Sequence, residues 1–289
     1  MKPDKVVGPF TTQNLLFFIA IVAAGITTVT SFFLIMKHLH RYTASNQQRQ
    51  IIRIIFTPVV FAVLSALSIL NYKVAIYLQP LIDLYETFAL AALFLLYTEY
   101  VAPDKDTRLS YFDALEHLKP RSMFRNKGYD VIPGGSQNWY LSKYLAVFLY
   151  VNIDIVMTIV QEVTQALNDY CETSYSLKYA HIWVLLITNV ALGWAINAIV
   201  RYYMRMRNEP EFAQHKPTLK IISFKLIVGV NFLQSIIFDI LIATKAVKGS
   251  SQVTGYDLKY GIPAALVAVE QIFFAVFFHY SVGHEKSGF

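Results

Sequence analysis

Cysteine is almost absent from this chain of 289 residues, which contains Cys171 alone. One cysteine cannot form an intrachain disulfide, and the sequence has no Cys-x-x-Cys pair or Cys/His spacing typical of zinc sites. Long polar stretches are also absent, so no soluble domain of useful size is expected. Disulfide scaffolds and zinc-stabilised domains are therefore excluded, and we predict neither a metal site nor a cofactor.

Signatures of catalysis are missing as well. The chain has no Gly-x-Ser-x-Gly and no phosphate-binding glycine loop. Asp154 and Asp239 could pair formally as in an intramembrane aspartyl protease, but no Gly-x-Gly-Asp accompanies either. His279 and His284 are five residues apart, so they do not share a helical face suited to zinc. We therefore predict that the protein is not an enzyme.

Apolar sequence is abundant instead. Hydrophobic residues make up 55% of the chain and the mean hydropathy is +0.43, above the usage of ordinary globular proteins. Seven windows are long enough to cross about 30 Å of hydrocarbon as helices. They cover 14–36, 51–71, 77–101, 140–167, 179–203, 219–244 and 261–282. We predict an all-α fold, a polytopic seven-transmembrane helix bundle that forms one membrane domain over residues 1–289.

The distribution of Lys and Arg predicts the orientation of this bundle. Counted with the residues at the span ends, the connections after spans one, three, five and seven hold 17 of the 25 Lys and Arg. The N-terminal segment and the other connections hold 7. The positive-inside rule then places the N-terminus outside and the C-terminus in the cytosol. Because the positive charge is a topology signal here, no nucleic-acid partner is predicted.

The longest connection, 102–138, is cytosolic in this topology. Its apolar residues recur at intervals of three, which predicts a short amphipathic helix: Leu109, Phe112, Leu115 and Leu118. This helix either lies on the anionic leaflet or packs on the bundle, and both interpretations remain open. Pro133, Gly134 and Gly135 predict a turn into the fourth span.

Polar residues occur deep inside five of the predicted spans. Asp83 and Glu86 in the third span lie three residues apart and so share one helical face. A carboxylate in hydrocarbon costs several kcal/mol, so such residues normally face a protein interior or a wet cavity. The other candidates for a solute-binding site or pathway are Asn152, Asp154, Thr158, Gln161, Asn189, Lys225, Asn231, Gln234, Asp239 and Glu270.

The fourth span has the clearest polar pattern. Its residues Asp154, Thr158, Gln161 and Gln165 form one continuous stripe at helical spacing. Such a stripe either lines a pathway for a polar or amphipathic molecule or holds neighbouring helices together by hydrogen bonds. Lys225 likewise has two interpretations, because its side chain either extends to the cytosolic interface or binds an anionic head group.

Four short motifs together resemble the organic solute transporter alpha-subunit (Ostα) family, which includes the transmembrane-184 proteins. They are Q-R-x-I-x-R after the first span, D-x-Y-E in the third, K-P-x-x-K-x-x-x-F-K-x-x-x-x-x-x-F-x-Q leading into the sixth, and E-x-x-F-x-A-x-x-x-x-Y in the seventh. The positions that match the family motifs are Gln48, Arg49, Arg53, Asp83, Tyr85, Glu86, Lys220, Lys225, Gln234 and Glu270.

The resemblance implies a seven-helix carrier that moves amphipathic organic solutes, such as steroid or bile-acid conjugates, down their gradient. The animal transporter of this family requires a single-span beta subunit and carries a cysteine cluster. Because this chain has only Cys171 and ends soon after the seventh span, we expect a transmembrane-184-like or fungal branch. Expected partners are membrane lipids, an amphipathic or sterol-like ligand, and either a second copy of the chain or a single-span subunit.

We therefore predict a facilitative carrier of amphipathic organic solutes or lipids in the plasma membrane or an endomembrane such as the vacuole or endosome. One alternative is a trafficking or scaffold protein that works through the cytosolic connection. Another is a seven-span receptor without transport activity. However, the third span ends in TEYVAPDK and not in a D-R-Y-like triplet, and the last span has no N-P-x-x-Y.

Overall fold

The computed structural model describes residues 10–40, 44–120, 129–172, 176–215, 217–244, 246–247, 249–250 and 252–281. Within these ranges, the side chains of 117–120, 129–134, 224–225, 228, 232, 239 and 243 lie outside the described set. The described chain is helical apart from one two-stranded hairpin. Its elements are α1 (Thr12–His40), α2 (Ser45–Ile55), α3 (Thr57–Leu70), α4 (Tyr72–Val101), α5 (Arg108–Ala114), β1 (Glu116–Pro120), β2 (Tyr129–Gly135), α6 (Gln137–Ala166), α7 (Ala180–Met206), α8 (Pro210–Ala213), α9 (Pro217–Ala243), a π-helix (Asp257–Gly261) and α10 (Ile262–Ser281).

Six helical stretches in the described chain are long and apolar enough to cross a membrane. They are Thr12–His40, Ser45–Leu70, Tyr72–Val101, Gln137–Ala166, Ala180–Met206 and Asp257–Ser281. Helix α9 covers most of the predicted span 219–244 and has 27 residues, about 40 Å of helix at ~1.5 Å per residue. Its shorter apolar part is Gly229–Ile242. The seven-span count and the orientation of the termini remain predictions.

The second predicted span is divided into two helices. Helix α2 ends at Ile55 and α3 begins at Thr57, with Phe56 as the junction. Pro58 occupies the first turn of α3, where its missing N–H has no intrahelical partner to lose. Proline therefore starts a new helix at this point.

The chain divides into two compact units, and α4 runs from one into the other. Unit one comprises Met1–Leu93 and Thr218–Phe289, and unit two comprises Phe94–Pro217. In unit one, α1, α3 and α10 pack against one another. Their shared core consists mainly of alanine: Ala20, Ala23, Ala24, Ala62, Ala66, Ile69, Ala265 and Ala268. Small residues let helix backbones approach closely, which is the usual way that membrane helices associate.

Unit two contains the paired helices α6 and α7 and a cluster of aromatic rings. Phe112 stacks on Tyr140 with 4.1 Å between ring centroids, and Phe94 lies edge-on to Tyr202 at 5.3 Å. Tyr97 packs on Phe212 and donates a 2.8 Å hydrogen bond to the carbonyl oxygen of Pro217. The rings thereby join the end of α4 to α5, α6, α7 and α8.

A buried ion pair lies at the same end of α4. Arg108 Nη2 is 2.8 Å from Glu99 Oε1, and the side chains are 12% and 4% exposed. Arg108 Nε also donates to the carbonyl oxygen of Ala102 at 3.0 Å. Between α4 and α5, a hydrogen bond from the Thr107 hydroxyl to Asp104 holds the pKa of that carboxyl below its usual value.

The hairpin corrects the sequence interpretation of the 102–138 connection. The predicted helix is limited to α5, which ends at Ala114, and Leu118 lies in β1 opposite Val131 of β2. The predicted turn at Pro133–Gly135 is part of β2. Local spacing could not indicate this, because β1 gains its backbone hydrogen bonds from a strand that begins nine residues after β1 ends. Gly135 is required here, since a Cβ would overlap the Asp113 carbonyl.

Candidate functional site

The predicted site residues are distributed over both units. In unit one, α4 carries Asp83 and Glu86, α9 carries Asn231 and Gln234, and α10 carries Glu270. In unit two, α6 and α7 carry the rest: Asn152, Asp154, Thr158, Gln161 and Asn189. The side chains of Lys225 and Asp239 lie outside the described set. The structure therefore assigns the predicted polar residues to two separate groups.

A hydrogen bond joins helices α9 and α10 of unit one, which carry three of the predicted residues. Gln234 Nε2 of α9 donates a 2.9 Å hydrogen bond to the carbonyl oxygen of Pro263 in the first turn of α10. Several other polar atoms of these helices are buried and have no hydrogen-bond partner in the described part of the chain: both amide atoms of Asn231, Gln234 Oε1 and Glu270 Oε2. These atoms can bind water or a ligand.

Helices α2 and α4 form a second polar contact in unit one. The Tyr85 hydroxyl donates to the carbonyl oxygen of Arg53 at 3.0 Å, and the Tyr85 ring lies edge-on to Phe56 at 5.9 Å. The Arg53 side chain is exposed and donates through Nη1 to Gln50 Oε1 at 3.0 Å. A guanidinium has five N–H donors, so this bond leaves most of them available.

The two acids of α4 have different surroundings. Asp83 is exposed and accepts a 3.1 Å hydrogen bond from Gln79 Nε2, one turn earlier in the same helix. Glu86 is half-buried. The remaining family-motif residues also lie on helices of unit one, where Gln48 and Lys220 are buried and Arg49 is exposed.

In unit two, the predicted polar stripe of α6 is partly buried. Asp154 is 4% and Thr158 is 8% exposed, and Gln161 is half-buried. Asn152 and Asn189 are exposed, and each amide donates to the carbonyl four residues earlier in its own helix, at 2.7 Å in both cases. Burial thus separates the α6 stripe from the two asparagines.

A buried carboxylate in the π-helix that precedes α10 was not predicted as important. Asp257 is 2% exposed and accepts hydrogen bonds from the Tyr72 hydroxyl at 2.6 Å and from the Thr254 backbone N–H and hydroxyl, both at 2.7 Å. Its own N–H donates to Thr254 Oγ1 at 3.2 Å. This is a reciprocal capping box. The Thr-x-x-Asp spacing is visible in the sequence, but the role of Tyr72 is not, because it is 185 residues distant.

Among the described residues, no group of three or more His, Cys, Asp or Glu side chains could hold a metal ion. No solved structure matches the chain.

Comparisons with known proteins give a consistent assignment. The chain is 24% identical over 262 residues to a transmembrane protein 184 homolog of Dictyostelium discoideum, covering 88% of this chain and 50% of that protein. It is 24% identical over 270 residues to protein LAZ1 homolog 1 of Arabidopsis thaliana, covering 87% and 54%. It is 24% identical over 253 residues to vacuole membrane protein hfl11 of Schizosaccharomyces pombe, covering 87% and 58%. The chain thus spans about half the length of these curated relatives.

The sequence model described as organic solute transporter Ostalpha matches residues 16–286, nearly the whole chain. Together with its apolar helices, this match identifies an integral multi-pass membrane protein. The resemblance recognised from the four motifs is confirmed, and so is the expected similarity to non-animal members. The chain therefore belongs to the organic solute transporter Ostalpha family.

Proposed function

We propose that this protein is a facilitative membrane carrier of amphipathic organic solutes or lipids, and that it contacts the solute through unit one. The observation that carries this proposal is the set of buried, unpartnered polar atoms on α9 and α10. Within the described chain, Asn231, Gln234 and Glu270 all contribute such atoms. The family membership supports the same class of function.

The physical argument concerns the cost of burying polar groups. An unpaired polar atom costs several kcal/mol in hydrocarbon, where water cannot replace the missing partner. Three residues of this kind on two adjacent helices are therefore unfavourable in a purely structural helix contact. Water and a passing solute are the partners that satisfy them.

The chemistry of unit one suits a solute with a polar end and an apolar body. The exposed Arg53 guanidinium can bind a sulfate or carboxylate group, and Asn231 and Gln234 can bond hydroxyl or carbonyl groups. Lys225 is a second candidate for the anionic group. Steroid-like conjugates and other organic anions have this combination of groups, which agrees with the solute class implied by the family.

We further propose that α9 crosses the membrane as the sixth of seven spans and that the N-terminus lies outside. The length of α9 and the 17-to-7 distribution of Lys and Arg support this topology. The Schizosaccharomyces relative is named a vacuole membrane protein, and we extend that location, vacuolar or endosomal membrane, to this chain. Chemical cross-linking in membranes tests whether a second copy or a single-span subunit is bound.

Flux measurements with purified protein in liposomes test the carrier proposal. The probes are a radiolabelled steroid sulfate, a bile-acid conjugate and a lysophospholipid. We expect flux down the gradient above that of protein-free liposomes, and a reduction of at least about tenfold in Asn231→Leu and Glu270→Gln, because ~1.4 kcal/mol of lost binding energy corresponds to a factor of ten.

Ser235→Ala is the matched control for these variants. Ser235 lies on α9, is exposed and donates to the carbonyl oxygen of Asn231 within its own helix, so its loss should not affect flux. Equal flux in wild-type protein and protein-free liposomes for all three probes contradicts the carrier proposal. Unchanged flux in both site variants, at normal abundance, contradicts the assignment to α9 and α10.

One observation favours the scaffold alternative. Two side chains hold the start of the hairpin in unit two: Arg205 Nη2 donates to the Glu116 carbonyl oxygen at 2.6 Å, and the Ser136 hydroxyl donates to the same atom at 2.7 Å. Such a surface can present a binding site to a cytosolic partner. A scaffold would keep its cellular role in Glu270→Gln and lose it when the hairpin is deleted, and a carrier shows the opposite dependence.

A further inference from the structure

Two basic side chains lie close together on the paired helices of unit two. Lys143 of α6 is half-buried and Arg201 of α7 is exposed, and the positive charge of Arg201 acts on the Lys143 ammonium group. Within the part of the chain that the structure describes, neither side chain forms an ion pair with a carboxylate. We call Lys143, Arg201 and the adjoining Asn197 the cationic site. None of them belongs to the solute site proposed above.

A ring contact sets the register of α6 against α7. Backbone hydrogen bonds join the chain after α6 to the start of α7, so these consecutive helices are antiparallel. At their other end, the Trp139 ring stacks on the Tyr202 ring with 5.7 Å between centroids. Lys143 follows Trp139 by four residues and Ala198 precedes Tyr202 by four, so Lys143 and Ala198 lie at about the same level. Arg201 is only three residues, ~4.5 Å, from that level.

The faces of the two helices agree with this register. Lys143 lies about 40° around α6 from Trp139, the residue that contacts α7. Tyr203 follows Tyr202 and packs on a tyrosine ring of α4, with 6.4 Å between centroids. Arg201 precedes Tyr202 and therefore lies about 100° to the other side, away from α4. The two cations thus meet along the contact of α6 with α7, at its edge away from α4.

Arg201 is the last residue of an exposed strip on α7. The strip also contains Val190, Trp194 and Asn197, at intervals of four, three and four residues, so all four residues share one helical face. Val190 is 61% and Trp194 is 65% exposed. Trp194 lies seven residues, ~10.5 Å, from Arg201 along the helix. An apolar surface suited to an acyl chain therefore adjoins the cationic site on the side of the membrane interior.

The hydrogen-bond donors of the site indicate its ligand. Arg201 Nε donates to Asn197 Oδ1 at 3.0 Å. This bond leaves the N–H groups on both terminal nitrogens of the guanidinium, and those of the Asn197 amide, for a ligand. Lys143 adds an ammonium group with three more donors. Because these groups are donors and two of them are positively charged, the ligand is an anion with several acceptor oxygens. Phosphate has this chemistry.

The depth of the site favours a lipid as the source of the phosphate. Lys143 is six residues, ~9 Å, from the start of α6 at Gln137, and Arg201 is five residues, ~7.5 Å, from the end of α7 at Met206. Long basic side chains at this distance from a helix end reach the head-group region. This end is cytosolic in the topology proposed above. The cytosolic leaflet is rich in anionic lipids, and basic pockets between membrane helices bind their head groups there.

We propose that Lys143, Asn197 and Arg201 bind one anionic phospholipid of the cytosolic leaflet, with its phosphate between the two cations and an acyl chain along Val190 and Trp194. The lipid neutralises two positive charges that repel each other in its absence, and it thereby stabilises the packing of α6 on α7. It is a resident lipid of unit two and not the transported solute.

Native mass spectrometry of the detergent-solubilised protein with added phosphatidylserine or phosphatidylcholine tests the proposal. We expect phosphatidylserine to bind at least about fivefold more tightly. Lys143→Met and Arg201→Met should each weaken phosphatidylserine binding about fivefold, because ~1 kcal/mol per basic residue near an anionic surface corresponds to that factor. Lys143→Arg keeps the charge and should retain the affinity. Arg207→Met is the matched control, since Arg207 is an exposed cation just beyond the end of α7, and should bind like the wild type.

Equal affinity for the two lipids overturns the proposal, and so does unchanged phosphatidylserine affinity in both methionine variants. Thermal unfolding of the wild type decides the question if the variants fail to fold, because phosphatidylserine should raise the Tm more than phosphatidylcholine does. Equal Tm values with the two lipids overturn the proposal. A Tm increase with inorganic phosphate alone as large as that with phosphatidylserine overturns it in favour of a soluble anion. No transport is measured, so failure of the carrier proposal leaves these results unaffected.

Discussion

The two units of this protein hold their helices together by different means. In unit one, α1, α3 and α10 meet through alanines such as Ala20, Ala66 and Ala268, which are at most 1% exposed. In unit two, the helices and the connection are joined by stacked rings and by the buried Glu99–Arg108 ion pair. One unit therefore depends on close backbone approach, and the other on large side chains and charge.

This difference determines whether a buried polar side chain in each unit finds a hydrogen-bond partner in the protein. A seam of alanines offers no side-chain donor or acceptor, and the side chains of Thr27 and Gln271 beside it have no hydrogen-bond partner among the described residues. The ion pair of unit two instead receives additional hydrogen bonds from its surroundings, as Arg108 shows with the Ala102 carbonyl. Most of the buried polar atoms without a hydrogen-bond partner among the described residues lie in unit one, where we propose that the solute binds, although unit two has others on Glu162, Gln165, Thr188 and Tyr202.

Breaking the ion pair of unit two should have the largest effect on stability. Arg108→Met leaves the Glu99 carboxylate, 4% exposed, without its cation, and breaking a buried pair costs about 3–5 kcal/mol. The expected result is a large fall in Tm of the detergent-solubilised protein.

The double variant Glu99→Leu with Arg108→Met separates the charge effect from lost packing. Because it removes the remaining charge, it should recover much of the lost stability. Lys105→Met, which removes an exposed charge in the same connection, is the control and should be near neutral. A single Arg108→Met variant as stable as the wild type would show that the pair is not buried in the membrane-embedded protein.

Adding one methyl group to the close contacts of unit one should have the next largest effect. A Cβ on Gly261 would overlap the Tyr72 hydroxyl and press on Leu16, and overpacking of this kind costs about 1–3 kcal/mol. Gly261→Ala should therefore lower the Tm. Gly25 of α1 and Gly193 of α7 have open space at the Cβ position, so alanine there should be neutral or stabilising. Equal effects at all three glycines would contradict the close packing of unit one.

Removing the Tyr72 hydroxyl tests the capping box at the π-helix that precedes α10. Tyr72→Phe removes one of the three hydrogen bonds that the buried Asp257 carboxylate accepts. A hydrogen bond to a charged group contributes about 1.5 kcal/mol or more. We expect a small decrease in Tm. Tyr256→Phe is a matched control, since that ring stacks on Tyr72 but is exposed. A larger effect from Tyr256→Phe than from Tyr72→Phe would contradict this account.

The membrane helices could be predicted from the sequence, because an apolar run of about 20 residues can form few other structures in a membrane. The same reasoning failed at the hairpin, where the partner of Leu118 lies in β2. Apolar residues at intervals of three predict a local helix. They contain no information about a pairing strand further along the chain.

The candidate site was harder to predict from the sequence than the fold. Hydrophobic spans made Glu270 and Asn231 conspicuous, because polar residues at that depth are rare. The sequence could not show that Gln271, next to Glu270, is the more deeply buried residue, since this depends on which face of α10 meets the alanines of α1. The hydrogen bond between Tyr72 and Asp257 could not be predicted from the sequence for the same reason, because tertiary packing creates it.

The smallest effects should come from the exposed asparagines of unit two. Asn152→Leu and Asn189→Leu remove amides that bond only within their own helices among the described contacts, so stability should change by no more than about 0.5 kcal/mol. Flux of the steroid sulfate should stay within twofold of the wild type, in contrast to Asn231→Leu in unit one. A tenfold loss of flux at normal abundance in either unit-two variant would show that the solute also contacts α6 or α7. The polar residues predicted there would then belong to the pathway, and solute binding would no longer distinguish unit one from unit two.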